Sequence, residues 1–278
     1  MTSSALTVAV RFGTQRVFKR LSLRTVRQGG AILCCLLLWQ WGTAVNLDLG
    51  FLNLAYIPGP MEVLEAGKAL LASPKLGAHV SNSLTRIFFG FAAASVLGVA
   101  LGLLIGRLRW AEEVLLPPLE LVRPIPAVAW IPLAILMFPS SEVSMVFITF
   151  IGALFPILLN TIHGVAGIDQ RLVASARSLG CRGWTLFVEV ILPGAAPSIV
   201  TGLAIGMGTC WFCLVSAEMI SGQFGIGYYT WESYTIQEYS GIVVGMLVIG
   251  LFGMLSSVLV RWLGERCMPW LRVQRGGK

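Results

Sequence analysis

Long stretches of apolar sequence without a charged residue constrain this chain more than any other feature. Residues 87–106 read IFFGFAAASVLGVALGLLIG, and runs of similar character recur along the chain. A membrane-spanning helix needs about 20 consecutive apolar residues, whereas an average soluble domain carries roughly 25% charged residues. Because 56% of the residues are hydrophobic and only 12% are charged, the composition predicts an all-α integral membrane protein.

Six stretches define the expected transmembrane helices. They cover residues 29–47, 87–106, 119–138, 143–164, 195–217 and 241–260. The third contains three prolines, Glu120 and Arg123. The two charges are three residues apart and can share a helix face, so they can neutralise each other, snorkel, or contact a transported solute. Glu218 ends the fifth stretch, where it can meet a solute, an external partner or water.

The distribution of basic residues predicts the orientation of these spans. Cytoplasmic loops of membrane proteins are enriched in Lys and Arg. If the N-terminus is inside, sixteen basic residues fall in the expected cytoplasmic segments and only Lys68, Lys75 and Arg86 fall outside. Both termini are therefore expected in the cytoplasm. The same distribution explains the net charge of +7 without nucleic-acid binding, since basic ends flank apolar spans.

Small residues recur every four positions along the second span. Gly90, Gly98, Gly102 and Gly106, together with Ala94, form one smooth stripe. Such a stripe lets two helix backbones approach closely, and close packing drives helix association in lipid. We therefore expect this stripe to pack against another helix, although glycine is also common in membrane helices without that role.

Motifs for nucleotide binding and hydrolysis are absent from the chain. It has no G-x-x-x-x-G-K-[ST], H-E-x-x-H or G-x-S-x-G, and its only histidines are His79 and His163, which we expect to be polar groups of the bundle. Cys210 and Cys213 have redox-motif spacing but lack a βαβ setting. We expect no enzyme and no metal site. An ion-coupled secondary transporter is one possible class.

One charged segment interrupts the apolar pattern at residues 169–193. Asp169 can cap a first helix, Gly180 can supply the left-handed position that ends it, and Pro193 is expected to end a second helix. The expected apolar faces are Leu172, Val173, Ala176 and Leu179, then Trp184, Phe187, Val188 and Ile191. The basic residues place this segment in the cytoplasm. Its apolar faces can lie on the membrane surface or dock a cytoplasmic protein.

The spacing of this segment resembles the EAA signature of ABC importer permeases. In that signature E-A-A is followed by three residues, Gly, nine residues and I-x-L-P. Here Ala174-Ser175-Ala176, Gly180 and Pro193 stand at the matching positions, with Ala174 in place of the usual Glu. The stretches LVRPIPAVAWIPLAILMF (121–138) and SAEMISGQFGIGYYTWESY (216–234) are similar to the nitrate, sulfonate, taurine and bicarbonate branch of this family.

The resemblance implies a permease subunit of the type I ABC importer fold in a bacterial inner membrane. It implies that a segment containing Ala174, Ser175, Ala176, Arg177, Gly180 and Pro193 docks on a separate ATPase. That partner would bind ATP and Mg, so no cofactor is expected in this chain. A periplasmic solute-binding protein and a second permease copy are the other implied partners. The solute is expected to be a small anion such as nitrate, a sulfonate or taurine, with Arg123 and Glu218 as candidate pathway residues.

The resemblance also divides the chain. Residues 1–28 are expected to be a cytoplasmic basic arm, and residues 29–76 a first transmembrane helix with a periplasmic segment. Residues 77–263 are the expected transmembrane type-1 domain, and residues 264–278 a cytoplasmic basic tail.

Overall fold

The computed structural model describes residues 26–45, 50, 56–222 and 224–270. Most of the basic arm, the end of the basic tail and the last residues of the first expected span lie outside these ranges. The chain divides into two compact units, residues 1–68 and 69–278. Every regular element in the described ranges is helical, which confirms the all-α prediction.

The first unit contains helix α1, over residues 26–44, and the start of α2 (Pro60–Ala72). Proline suits the first turn of α2 because it has no N–H that would need a partner there. The Glu62 carboxylate accepts a hydrogen bond from the Gly59 N–H at 3.3 Å. This contact satisfies a backbone donor at the start of the helix.

The second unit is built around four long helices joined by shorter ones. Its elements are α3 (Lys75–Arg107), α4 (Arg109–Val122), a 3₁₀ turn (Ala127–Trp130), α5 (Ile131–Met137), α6 (Ser141–Ala166), α7 (Gln170–Ser178), α8 (Gly183–Leu186), a π-helical turn (Phe187–Ile191), α9 (Leu192–Ser221), α10 (Ile226–Thr235) and α11 (Tyr239–Arg266).

Four helices of the described chain are long and apolar enough to cross a membrane: α3, α6, α11 and the continuous helix Gly183–Ser221. A fifth crossing is obtained if α4 and the segment Ala127–Met137, bent by 80° relative to each other, form one broken span. These correspond to five of the six expected spans. The first, residues 29–47, is helical up to residue 44, its described part ends one residue later, and it is not among the crossings found in the described residues.

The glycine stripe of α3 lies against α6. A Cβ atom added at Gly90 would lie 2.7 Å from Thr149 Cβ, and one added at Gly102 would lie 2.5 Å from Thr161 Cβ. At Gly98 and Gly106 it would meet Ile157 and Val165 at 2.9 and 2.8 Å. The positions on both helices increase together, so α3 and α6 run in the same direction.

Helix α6 also packs closely against α9, in the opposite direction. Gly152 faces Cys213, whereas Gly202 faces Asn160, and an added Cβ would clash at both glycines. At the far side of α9, Trp211 Nε1 donates a hydrogen bond to Ser256 Oγ of α11 at 2.8 Å. The central helix of the unit is therefore α6, with α3 and α9 against it and α11 beyond α9.

These directions determine the path of the chain. Because α3 and α6 are parallel, the chain between them must return across the bundle, and α4 and α5 make that return. Gly264, near the end of α11, faces Val200, near the start of α9, so α11 runs opposite to α9. The ends of α3, α6 and α11 therefore lie together with α7, α8 and the start of α9. We call this the inner end, because the charge distribution predicts that it faces the cytoplasm, and the opposite one the outer end.

Replacing Gly102 with Ala should separate α3 from α6. The new Cβ would meet both Thr161 Cβ and the Leu158 carbonyl oxygen, at 2.5 and 2.9 Å, and backbone cannot move aside as a flexible side chain can. We expect a loss of about 1–3 kcal/mol in stability, as for other overpacked sites. Thermal unfolding of the purified chain in detergent measures it. Gly250→Ala is the matched control, because nothing lies within 4 Å of its added Cβ; equal unfolding temperatures would contradict the role of the stripe.

Candidate functional site

The inner end carries the helix–glycine–helix segment that the sequence singles out. Helix α7 begins after Asp169, whose carboxylate accepts a hydrogen bond from the Arg171 N–H at 2.8 Å. This side chain satisfies a free N–H of the first turn. The predicted cap at Asp169 is confirmed.

Helix α7 ends in a Schellman motif at Gly180. The Cys181 N–H donates to the Ala176 carbonyl at 3.0 Å, and the Gly180 N–H donates to the Arg177 carbonyl at 3.0 Å. Gly180 has a φ of +90°, which confirms the predicted left-handed position. The motif directs the chain sharply into α8. Gly183 also has a positive φ, +56°, so the turn contains two left-handed glycines where the sequence predicted one.

The apolar face of α7 has a buried edge and an exposed edge. Val173 and Ala176 are buried in a small core with Ile168, whereas Leu172 and Leu179 are exposed, Leu179 by 85%. At about 100° per residue the four side chains span an arc of about 120°, so they share one broad face as predicted, but only its Val173 edge is buried within the chain. One side of α7 therefore anchors the segment, and the other side is an exposed edge. This edge includes Leu172, Ala174, Ser175, Arg177 and Leu179.

The second helix does not end at Pro193. Helix α8 passes through a π-helical turn, in which the Leu192 N–H donates to the Phe187 carbonyl, and continues as α9. The expected end at Pro193 is wrong, because Pro193 lies in the first turn of α9 and the wider π turn precedes it, so its ring interrupts no regular α ladder. The π turn also changes the buried face: Leu186 and Ile191 are buried, whereas Trp184 and Val188 are exposed.

A break in the third span exposes irregular backbone and the charged side chain of Arg123 between the two ends of the bundle. Ala111 of α4 packs in a core with Leu158, towards the inner end, and Ala134 of α5 accepts a hydrogen bond from Ser144 Oγ at the outer end. The chain bends between them, at Arg123 to Pro126, and all four of these residues are exposed. No salt bridge joins Arg123 to Glu120 in the described part of the chain.

One further polar group lies beside this break. The indole Nε1 of Trp130, in the 3₁₀ turn, is buried without a hydrogen-bond partner among the described residues. An unpaired buried donor is costly. The same short connection thus contains an exposed guanidinium and a buried N–H without a partner.

The outer end is held by a buried ion-pair network centred on Arg86. This side chain is only 2% exposed. Its guanidinium donates to both carboxylate oxygens of Glu142 at the start of α6, to Glu218 Oε1 at 2.9 Å, and to the Phe224 carbonyl. Arg86 therefore connects α3, α6 and α9 with the loop that leads into α10.

Glu218 is enclosed by this network. It is fully buried, accepts from Ser83 Oγ at 2.7 Å and from the Gly227 N–H at 2.8 Å, and leaves no space for a Cβ at Gly225. The expectation that Glu218 faces water or an external partner is wrong in this conformation, because the α9–α10 loop folds over it. Its role in the solute pathway remains a prediction.

The histidines and cysteines belong to the helical framework. His79 is buried and its Nδ1 accepts from the Gly225 N–H at 3.1 Å, as expected for a polar group of the bundle, and His163 lies in the last turn of α6. Cys210 and Cys213 are free thiols in the core. In the described ranges no three His, Cys, Asp or Glu side chains are grouped so as to hold a metal ion.

Sequence reasoning missed the importance of Arg86, which was assigned to an outer loop. The available signal was a lone arginine directly before the apolar run 87–106. Such a charge needs partners, and Glu142 and Glu218 each lie at the outer end of another expected span.

Comparison with known proteins agrees with this architecture. The chain matches the family described as binding-protein-dependent transport system inner membrane component over residues 94–273. It is 34% identical to the nitrate import permease protein NrtB of Synechocystis sp. over 89% of this chain and 91% of the relative. It is 38% identical to the putative aliphatic sulfonates transport permease protein SsuC of Escherichia coli over 84% of this chain and 87% of the relative.

A third relative is a putative ABC transporter permease protein of Methanocaldococcus jannaschii, 38% identical over 75% of this chain and 78% of its own length. The fold and these matches define a multi-pass helical permease of the inner membrane. The chain belongs to the family of binding-protein-dependent transport system inner membrane components, the permease subunits of ABC transporters. It is a transport subunit and not itself an enzyme.

The Arg86 network should be far more sensitive to loss of the arginine than to loss of its exposed partner. Arg86→Gln leaves Glu218 as an unpaired buried charge, and we expect a loss of about 3–5 kcal/mol. Glu142→Gln should cost about 1 kcal/mol or less, because the Glu142 side chain is 55% exposed. Thermal unfolding in detergent compares the two variants. Equal destabilisation would show that Arg86 is not the centre of the network.

Proposed function

We propose that this chain forms the translocation pathway of an ATP-driven importer for a small anion, and that α7 connects it to a separate ATPase subunit. The observation that carries the proposal is the inner-end segment. Its first helix is anchored by Val173 and Ala176 on one side, ends in a Schellman motif at Gly180, and leaves an exposed edge on the other side. An anchored helix with one free apolar edge is suited to insertion into a groove of a partner protein.

The ATPase is proposed as a separate chain because this one has no phosphate-binding loop. That partner would bind ATP and Mg, and movement of its groove would shift α7 and, through α8 and the π turn, the start of α9. A solute-binding protein would deliver the solute at the outer end. Membership of a binding-protein-dependent family supports both partners.

We propose that the surface around the α4–α5 break lines the solute pathway. Irregular backbone and an exposed arginine between the two ends of a membrane bundle cannot face lipid, because lipid supplies no hydrogen bonds. This surface must therefore face another protein or a water-filled path. A second copy of the chain placed there would enclose such a path, so we propose a homodimer of permease subunits.

The proposed solute class is a small anion such as nitrate or a sulfonate. Relatives named for nitrate and aliphatic sulfonates support it. The exposed guanidinium of Arg123 is a hydrogen-bond donor at the proposed pathway, and such a donor suits anionic oxygens. The delivering protein would set most of the choice among anions.

Uptake into proteoliposomes tests this function against the alternative, an ion-coupled secondary transporter. We expect uptake of labelled nitrate or taurine only when a cognate ATPase and binding protein are present with ATP. Arg123→Gln should slow uptake while the ATPase still assembles, and Arg261→Gln, which removes an exposed arginine at the end of α11, serves as the control. Uptake by this chain alone under an ion gradient would overturn the proposal.

Substitutions at Gly180 test the coupling segment. An added Cβ at Gly180 would meet no atom within 4 Å, so a replacement is opposed only by the φ of +90°. Gly180→Val should cost about 1–2 kcal/mol in the local turn, and we expect the ATPase to co-purify poorly with this variant. Gly180→Asn should retain the ATPase, because Asn tolerates the left-handed conformation. Equal co-purification of the two variants would argue against a role for this turn in docking.

A further inference from the structure

A groove on the surface of the inner end is not explained by the proposed transport function. It has a volume of about 420 Å³. One wall is the last two turns of α3 and the other is the turn around α8. Its main lining residues are Ala100, Leu104, Arg107, Gly183, Trp184 and Phe187. We call it the Arg107 groove.

The lining is apolar except at the mouth, where Arg107 contacts the opposite wall. The Arg107 Nη2 donates to the Gly183 carbonyl at 3.3 Å, and the guanidinium lies 5.3 Å from the centre of the Phe187 ring. These contacts use one of its five N–H donors. The remaining donors have no hydrogen-bond partner in the described ranges.

Arg107 places a positive charge at the mouth of the groove that no described carboxylate pairs with. Arg109 follows Arg107 after one residue, and Arg182 directly precedes Gly183. None of these three arginines forms a salt bridge with a described carboxylate. The acidic residues on the neighbouring elements, Glu112 and Glu113 of α4 and Glu189 of the π turn, are exposed and also form none.

The groove lies at the level where the membrane meets the cytoplasm. Arg107 is the last residue of a membrane-crossing helix, so the mouth is at the expected inner interface and Ala100 is about 10 Å deeper, at a rise of 1.5 Å per residue. Trp184 is 75% exposed and packs on Phe187, with ring centroids 5.3 Å apart. Tryptophan is enriched at this level, and clustered basic residues there attract anionic headgroups.

We propose that the Arg107 groove binds an anionic phospholipid of the inner leaflet. One acyl chain would lie along Leu104 and Ala100, and the phosphate would accept hydrogen bonds from the free N–H groups of Arg107. Charge complementarity selects this occupant: a second copy docked groove to groove would bring like charges together. A lipid satisfies both the apolar wall and the cationic mouth.

Native mass spectrometry of the purified full-length chain in detergent tests the proposal, with phosphatidylglycerol, phosphatidylcholine and inorganic phosphate as separate probes. We expect retained phosphatidylglycerol adducts and much weaker adducts of the other two. Arg107→Gln should weaken phosphatidylglycerol binding about fivefold, the effect of one basic residue near an anionic surface.

Two variants separate this site from general attraction to a basic surface. Arg266→Gln removes another arginine at the inner end, one that lies 4.6 Å above the Trp262 ring, and should leave the strongest adduct unchanged. Ala100→Trp fills the groove but keeps every arginine, and should abolish that adduct. Equal losses for Arg107→Gln and Arg266→Gln, or an intact adduct in Ala100→Trp, would overturn the proposal. A changed oligomeric state of Ala100→Trp would also overturn it, by assigning the groove to a second copy.

Discussion

The close contact of α6 with α3 on one side and α9 on the other is the constraint on which the bundle depends. Lipid gives no hydrophobic drive for helices to associate, so van der Waals contact must do so. Glycines provide that contact on both faces of α6, through Gly102 and Gly106 of α3 and Gly202 and Gly206 of α9. Cβ atoms added at these glycines would overlap α6 atoms, so the three helices are in close contact. We therefore expect α3, α6 and α9 to move together as one packed unit.

Departures from regular helix are concentrated beside the proposed docking segment and the proposed solute pathway. The π turn at Phe187–Ile191 lies between the inner-end segment and α9. The 80° bend separates α4 from α5 and exposes Arg123. The bend leaves exposed irregular backbone that lipid could not satisfy. The π turn keeps its own backbone hydrogen bond from the Leu192 N–H to the Phe187 carbonyl, and π turns are frequently found at functional sites.

Properties that depend on local sequence could be predicted. The cap at Asp169 and the left-handed turn at Gly180 follow from the residues themselves, and apolar length alone identified the four long helices. Properties that depend on distant partners could not. The sequence places Arg86 in an outer loop, whereas the fold brings it into contact with Glu218, which is 132 positions away in the chain. The buried face of α8 was also misassigned, because the sequence does not show the extra residue that a π turn inserts into the helical period.

Helix α9 connects the π turn at the inner end with the Arg86 network at the outer end. It begins at the π turn, beside the proposed docking segment, and ends three residues beyond Glu218. Its thirty residues extend about 45 Å at 1.5 Å per residue, and contacts along its length join it to α6. A displacement at its start would therefore be carried to the outer end by α9 and α6 together. There Arg86 links both helices to α3 and to the loop before α10, so the outer end would respond as one connected body.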